Sequence, residues 1–597
     1  VTYSEILRAN AELLPTLAGP QYPIRVLSNL VVTQISELLE YELRIRKIAA
    51  VVTNGDYDNV VQESAASSDY RLVVVMLELC NLVEGLQFEI DLLDGAGIEA
   101  VFQKTTAEIN LVFENLKDRP LVLFNRFTAL PFTSRNVDVG PFAALAGRLN
   151  GYLEERRPHN VRLVDVEKVM AHLGVSRSVD MRYFYSARAL YSVEFLKQYV
   201  ESILPYVMAV NGKLKKALIL DCDGTLWKGV LGEDGEAGIE MGADTRTGAI
   251  FAEVQSIALA WNRRGVILGL CSKNNMADVD HVLDKHPQMR IRDEHLAIKR
   301  VNWEDKVTNL REIARELQIG LDSIVFVDDS AFEAEHVRAQ LPEVEVLQVP
   351  RSLSAYPGML RERAGWFFAG GAPTAAEDLA KTQMYKAQAA RATAQAQFAT
   401  VDDYLASLGI RITIAVDDAG ALLRLAQLSQ KTNQFNVTTI RYTESEVKSL
   451  IESDDATVLS LSVRDRFGDS GIVGLCIVRW LRSERSATID SFLMSCRVIG
   501  RNIEYAVMDY VVEYLKREGA LTIKARYAKT AKNDQVREFF DRCSFPLVSD
   551  DGAERVYSMQ VDGYEYKRIP YLEMIDGSTS KESHVGSLRS AGREYSR

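Results

Sequence analysis

Cysteine is scarce in this 597-residue chain: Cys80, Cys222, Cys271, Cys476, Cys496 and Cys543 are its six, and no two stand in a CxxC pair. That scatter argues against a disulfide framework or a thiolate zinc site and favours reduced thiols. Long apolar runs are missing as well, and residues 1–10 are acidic and polar where a secretory signal would be basic and then apolar. The expected address is cytoplasmic, with no membrane partner. Nor is there a basic excess. The 70 Lys and Arg are outnumbered by 82 Asp and Glu, a net charge of -12, which argues against nucleic acid as the main partner. What is present is 47% hydrophobic and 25% charged residues, enough for several cores and, at this length, three or four domains.

The most informative stretch is Leu218-Ile219-Leu220-Asp221-Cys222-Asp223-Gly224-Thr225-Leu226-Trp227, an apolar strand running into two carboxylates one residue apart. Such a pair can divide one reaction: one oxygen attacks phosphorus or an acyl carbon, and the other handles the proton of the leaving group. Three further motifs follow. Ser272 closes the apolar run Val266–Cys271 and opens Ser272-Lys273-Asn274-Asn275, a polar cradle for a phosphoryl oxygen. Lys306 ends Asn302-Trp303-Glu304-Asp305-Lys306, where one ammonium can hold a phosphate and offset the charge of Asp221. The run Ser323–Val327 enters Asp328-Asp329-Ser330. With Asp221 and the main-chain oxygen of Asp223, these paired acids would form a hard oxygen site that suits Mg2+ rather than zinc, the ion being held by Asp221, Asp328 and the Asp223 carbonyl.

The order Asp-x-Asp-x-Thr, Ser, Lys, Asp-Asp resembles the haloacid dehalogenase (HAD) superfamily. The longer wording from Asp221 to Gly235, with Cys271–Asn275 and Asn302–Lys306, resembles its FkbH-like branch, the subfamily IIIC type. Asn is common in that pattern where Gly224 stands, and Gly where Lys228 stands. The resemblance implies an Mg2+-dependent phosphatase and glyceryl transferase of polyketide pathways. Its substrate would be 1,3-bisphosphoglycerate or a similar phosphorylated small acid, and its partner an acyl carrier protein whose phosphopantetheine thiol receives the glyceryl group. Asp221 would be the nucleophile, Asp223 the acid and base, and Ser272 and Lys306 the phosphate holders, with Thr225, Lys273 and Asn274 as further substrate contacts. Cys222 and Cys271 flank these positions and are candidates for an internal acylated thiol. Period-two geometry turns Cys222 away from the face used by Asp221, which makes core packing its alternative. A free-standing phosphatase on a small metabolite, or a scaffold that binds acyl-CoA or a carrier protein, are the other readings.

The expected fold class is multidomain α/β. Residues 1–205 alternate apolar runs at 24–27, 49–52, 72–77, 121–124 and 161–164 with helical stretches, which predicts a parallel sheet. In FkbH-like proteins this region resembles an SGNH hydrolase, with Ser28-Asn29 at the nucleophile turn and Asn54-Gly55 as a later block. An Asp-x-x-His is missing, since Lys168 stands where the histidine is needed and His159 and His172 read as ordinary surface or half-buried residues; a non-catalytic scaffold is expected. Residues 206–372 hold the four motifs, a HAD-type, Rossmann-like parallel sheet with a small cap from the Gly-rich hairpin 227–241. A connecting helix is expected over 373–400, a GNAT-like α+β domain over 401–567 and a disordered tail over 568–597. In the third domain a strand runs into Arg497-Val498-Ile499-Gly500-Arg501-Asn502 and then a helix. It resembles the acetyltransferase phosphate loop, with Arg497, Gly500, Arg501 and Asn502 as candidate contacts for CoA or phosphopantetheine.

Overall fold

The structure, a computed structural model, describes residues 2–17, 20–133, 139–368, 384–387, 391, 398, 400–432, 434–530 and 532–577. Most of the expected connecting helix, and the expected tail beyond 577, lie outside these residues. The chain forms two compact units, Val1–Val210 and Asn211–Arg597. Among the described residues no helix is long and apolar enough to cross a membrane.

The first unit carries five strands, β1 (Tyr22–Ser28), β2 (Ala50–Asn54), β3 (Leu72–Met76), β4 (Leu121–Asn125) and β5 (Val161–Val164). They are all parallel, in the order β2-β1-β3-β4-β5. Helices such as Gly95–Leu116 and Pro141–Arg156 provide the crossovers that parallel strands require. Strands β3 and β4 are buried along their whole length, as in a sheet covered on both faces.

The second unit holds two sheets. Strands β6 (Ala217–Leu220), β7 (Ile267–Ser272), β8 (Leu296–Val301), β9 (Ile324–Asp328) and β10 (Glu345–Gln348) are parallel in the order β10-β9-β6-β7-β8. Alternate residues of β6 face opposite ways: Leu218 and Leu220 pack with Trp227 and Phe251, and Ala217 and Ile219 with Leu310 and Phe326. The chain winds from β6 out to β7 and β8, then crosses back to β9 on the other side of β6. The carboxyl ends of β6 and β9 therefore meet at the point where the winding reverses, the usual seat of a ligand in such sheets.

The other sheet is mixed, with β11 (Ile410–Val416), β12 (Phe435–Asn436), β13 (Ala456–Asp465), β14 (Gly468–Leu481), β15 (Ser486–Met494), β16 (Thr522–Ala528), β17 (Leu547–Asp550), β18 (Glu554–Gln560) and β19 (Leu572–Asp576). Strands β11, β13, β14 and β15 are antiparallel neighbours, whereas β15 and β16 run parallel and are joined through the helix Ile503–Arg517. The β15–β16 ladder covers only Ser486–Ile489 on β15. Beyond it β12 pairs with Leu493 and Met494, Val437 N donates to Phe492 O, and Ala528 N donates to Val437 O, so the chain fills its own split. The expected start of the tail at 568 is corrected: β19 pairs in parallel with β11, and Ile569, Tyr571, Leu572 and Met574 pack against the core.

Candidate active site

The four motifs converge at the reversal point. Asp221 follows β6 and is tied to β9 by its N–H, which donates to Val327 O at 3.0 Å. Asp328 ends β9, and its Oδ1 accepts from Ser330 N at 2.8 Å. The helix Lys306–Leu317 starts under an Asp305 cap whose carboxylate accepts from Thr308 N. Its first side chain places Lys306 Nζ 3.0 Å from Asp221 Oδ1 and 2.5 Å from Asp328 Oδ2. Ser272, at the end of β7, hydrogen-bonds the Asp221 carboxylate. All four side chains are buried.

Burial pushes the Asp221 carboxyl up against the pull of Lys306, and it pushes Asp328 up with the charge of Asp221 adding to the rise. Burial also works against the Lys306 ammonium, but its two carboxylates outweigh that and hold it well above its ordinary value. Asp329 adds a third, exposed carboxylate, and oxygens of Asp221, Asp328 and Asp329 lie within 4.8 Å of one another, a grouping that could hold a metal ion. Three acids around one ammonium leave a negative excess of hard oxygen donors, which fits Mg2+. The sequence pattern sets the paired acids Asp328-Asp329 beside Asp221 and the Asp223 carbonyl, and the structure gathers the carboxylates of Asp221, Asp328 and Asp329.

Gly224 explains part of this arrangement. Its φ is +66°, and a Cβ built there would stand 2.3 Å from Asp329 Oδ2. Gly224→Ala should therefore displace Asp329 and weaken Mg2+ binding about tenfold, as measured by calorimetric titration.

The other expected site residues separate into groups. Asp223 is held by three donors, Trp227 Nε1 at 2.8 Å and Leu231 N at 3.0 Å on Oδ1, and Asn274 Nδ2 at 2.8 Å on Oδ2. Asn274 thus spends one of its two amide protons on Asp223. Lys273 is paired with Glu333 at 2.7 Å. Thr225 is corrected as a substrate contact: Thr225 N and Leu226 N both donate to Cys222 O, and this tight turn tucks the Thr225 hydroxyl into the interior, where it has no hydrogen-bond partner among the described residues. Cys222 packs with Leu220 and Trp227, and Cys271 packs on the opposite side with Ile219. Burial, aided by the Asp221 charge, drives the Cys222 thiol far up, and burial raises Cys271 despite Lys306. Both are core thiols, which corrects their candidacy as acyl acceptors.

The loop Arg497–Asn502 is spent on the fold. Arg501 Nη1 donates to Asp465 Oδ2 at 3.0 Å, beside a bidentate Arg391 at 2.8 Å on each oxygen. Arg497 turns to Ser495 Oγ and to the Met384 sulfur, and Asn502, with φ +59°, donates to the Tyr571 hydroxyl. Gly500, with φ +80°, makes the turn. Both guanidiniums are buried on internal partners, and β12 occupies the split between β15 and β16. The expected CoA or phosphopantetheine contacts of Arg497, Arg501 and Asn502 are corrected accordingly.

In the first unit Ser28 also sits at a reversal of winding, between β1 and β3. Its hydroxyl donates to Met76 O and accepts from Leu30 N, and Asp165 caps the helix Val166–Leu173 by accepting from Lys168 N. His172 on that helix bonds Lys168 O. Two residues past β3, burial pushes the Glu78 carboxyl up to about 7 against the Asn125 amide, which donates to it. Because the folded value lies above the unfolded one, the unfolded chain loses its proton first, and stability falls between pH 4.5 and 7 before levelling. Glu78→Gln should remove that slope. Relative to the parent, its unfolding free energy should rise by about 3 kcal/mol from about pH 4 to about pH 8, measured by chemical denaturation of this unit.

The chain is similar in structure to the N-terminal part of the protein BF1531 from Bacteroides fragilis, a fragment containing a phosphatase domain and crystallised in complex with Mg. Identity is 23%, the match covers 62% of this chain and 100% of that one, and the TM-score is 0.55. At this identity the likeness shows a shared fold. Spermidine N-acetyltransferase from Vibrio cholerae (13% identity, 25% of this chain and 94% of that one, TM-score 0.21) and ribosomal-protein-S18-alanine N-acetyltransferase from Escherichia coli (12%, 25% and 94%, TM-score 0.20) match too slightly to bear on the third domain. No family model matches the sequence, and no curated protein does.

Proposed function

We propose that the second unit is a phosphoryl-transfer enzyme of the HAD type, in which Asp221 takes a phosphoryl group from a small phosphorylated acid. The observation that carries this reading is Lys306 lying between Asp221 and Asp328 where the winding of the sheet reverses. Mg2+, when held by Asp221, Asp328 and Asp329, would supply charge stabilisation to the transferring phosphoryl oxygens. Lys306 binds the phosphate and favours the ionised form of Asp221 against the effect of burial. Asp221 oxygen bonds to phosphorus as the ester P–O bond breaks, and the departing oxygen takes the proton of Asp223. Asp223 then removes a proton from water, which attacks the aspartyl phosphate and frees inorganic phosphate. The exposed Asp329 marks the open side of the cluster, from which a substrate would enter.

The finer reading follows the FkbH-like wording of Asp221–Gly235: 1,3-bisphosphoglycerate is the donor, the phosphopantetheine thiol of an acyl carrier protein attacks the glyceryl carbonyl and expels the C1 phosphate, and the C3 phosphoester is the one that Asp221 cleaves. Burial of Cys222 and Cys271 supports an external thiol. Intact mass spectrometry of a carrier protein incubated with the full chain, Mg2+ and 1,3-bisphosphoglycerate tests it. A carrier heavier by one dephosphorylated glyceryl group is expected. An unmodified carrier together with steady phosphate release would leave a plain phosphatase.

A further inference from the structure

We infer that Trp227, with Asn274 and the Leu231 N–H, positions Asp223 so that Oδ2 is the oxygen that delivers and recovers the proton, an inference resting on the phosphoryl-transfer reading above. The assignment comes from counting lone pairs. Asp223 Oδ1 accepts from both the Trp227 indole and Leu231 N, which fills its two lone-pair directions. Among the described residues Oδ2 accepts only from Asn274 Nδ2, which leaves one of its lone pairs available for a proton. The working cycle then balances at a single atom. The Oδ2–H bond breaks as its proton passes to the alkoxide leaving phosphorus, and Oδ2 regains a proton from the water that cleaves the aspartyl phosphate.

The donors come from two parts of the fold, the segment Trp227–Leu231 on Oδ1 and the loop after β7 on Oδ2, which is why the arrangement can set an angle. Trp227 is wholly buried among Leu220, Leu226 and Phe251, so its indole is fixed by packing. Asn274 follows β7 and sits one residue before Asn275, whose side chain caps the helix Met276–Lys285. Leu231 opens the helical turn Leu231–Asp234 inside the 227–241 hairpin, which is tied down by the Lys228–Glu240 ion pair at 2.7 Å. A carboxylate pinned on one oxygen by the hairpin and on the other by the loop after β7 has little freedom to rotate Oδ2 away from the reacting oxygen. Trp227 is thus a positioning residue, acting through Asp223.

Trp227→Phe keeps an aromatic ring and deletes the N–H, and Asn274→Ala deletes the second donor. In the full chain with Mg2+, each is expected to slow hydrolysis of an alkyl ester, glycerol phosphate, about tenfold, because the alkoxide needs the proton. Release of 4-nitrophenol from 4-nitrophenyl phosphate in the first turnover, which precedes the water step and whose leaving group departs unprotonated, should change less than about twofold. Equal losses in first-turnover alcohol release from both esters would reduce the two residues to structural supports and overturn the inference. A second readout does not depend on turnover. The chain has five tryptophans, so its 15N-labelled indole resonances are countable, and Trp227→Phe identifies one of them. Asp223→Ala should move that resonance upfield as the indole loses its acceptor; an unmoved resonance overturns the inference. A parent chain that hydrolyses neither ester would overturn the phosphoryl-transfer reading and the acid role with it, and the indole signal separates that failure from loss of the Asp223–Trp227 bond.

Discussion

Asp221→Asn should lower phosphate release by roughly 10,000-fold or more, the scale seen when a catalytic nucleophile is deleted. The amide keeps the shape of the carboxylate but has no anionic oxygen with which to attack phosphorus. Folding should survive, because Lys306 retains Asp328 as a partner at 2.5 Å and the strand tie from residue 221 to Val327 is a backbone bond. The measurement pairs a phosphate-release assay with a thermal melt. Turnover within about tenfold of the parent would sink the proposed reaction, whereas loss of the folded state would mean that the carboxylate is needed for structure.

Lys306→Met should cost about 3–5 kcal/mol of stability, the range found when one partner of a buried ion pair is removed and the other is stranded. Here two carboxylates are stranded, since the ammonium contacts both Asp221 and Asp328, and Asp328 is fully buried. Methionine fills most of the lysine volume, so the loss isolates charge from packing. Adding Asp328→Asn should recover a large part of the deficit, because the double variant no longer buries two like charges side by side; the two sites touch, and their effects should be far from additive. Chemical denaturation of the parent, both single variants and the double variant measures this. Additive losses would show that Lys306 does not compensate Asp328. Catalysis should fail in each of the three variants.

Much of the fold was legible because fully buried parallel strands leave uninterrupted apolar runs, and β3, β4, β7 and β9 carry that mark. The strands at the margins were harder to see. β8 and β10 are the two edges of their sheet, and Lys299, Arg300, Glu345 and Gln348 interrupt their apolar pattern because an edge need not be buried on every side. β12 is two residues long and exists only because β15 and β16 part, and β19 depends on an open side of β11. The Arg497–Asn502 loop misled for a related reason: its spacing suits a phosphate, while the Asp465 that takes up Arg501 lies 36 residues away in sequence.

The sequence by itself determined which reactive groups this protein carries: a carboxylate pair after an apolar strand, a serine, a lysine and a second acidic pair. Only the tertiary structure decided which groups share a charge, which oxygen of Asp223 is left open, and which thiols and guanidiniums are spent on the core. The physical reason is range. Strand and helix patterns are set by neighbours along the chain, whereas desolvation and hydrogen-bond saturation depend on groups that meet only when Asp221, Asn274, Lys306 and Asp328 are brought together by the reversal of the sheet.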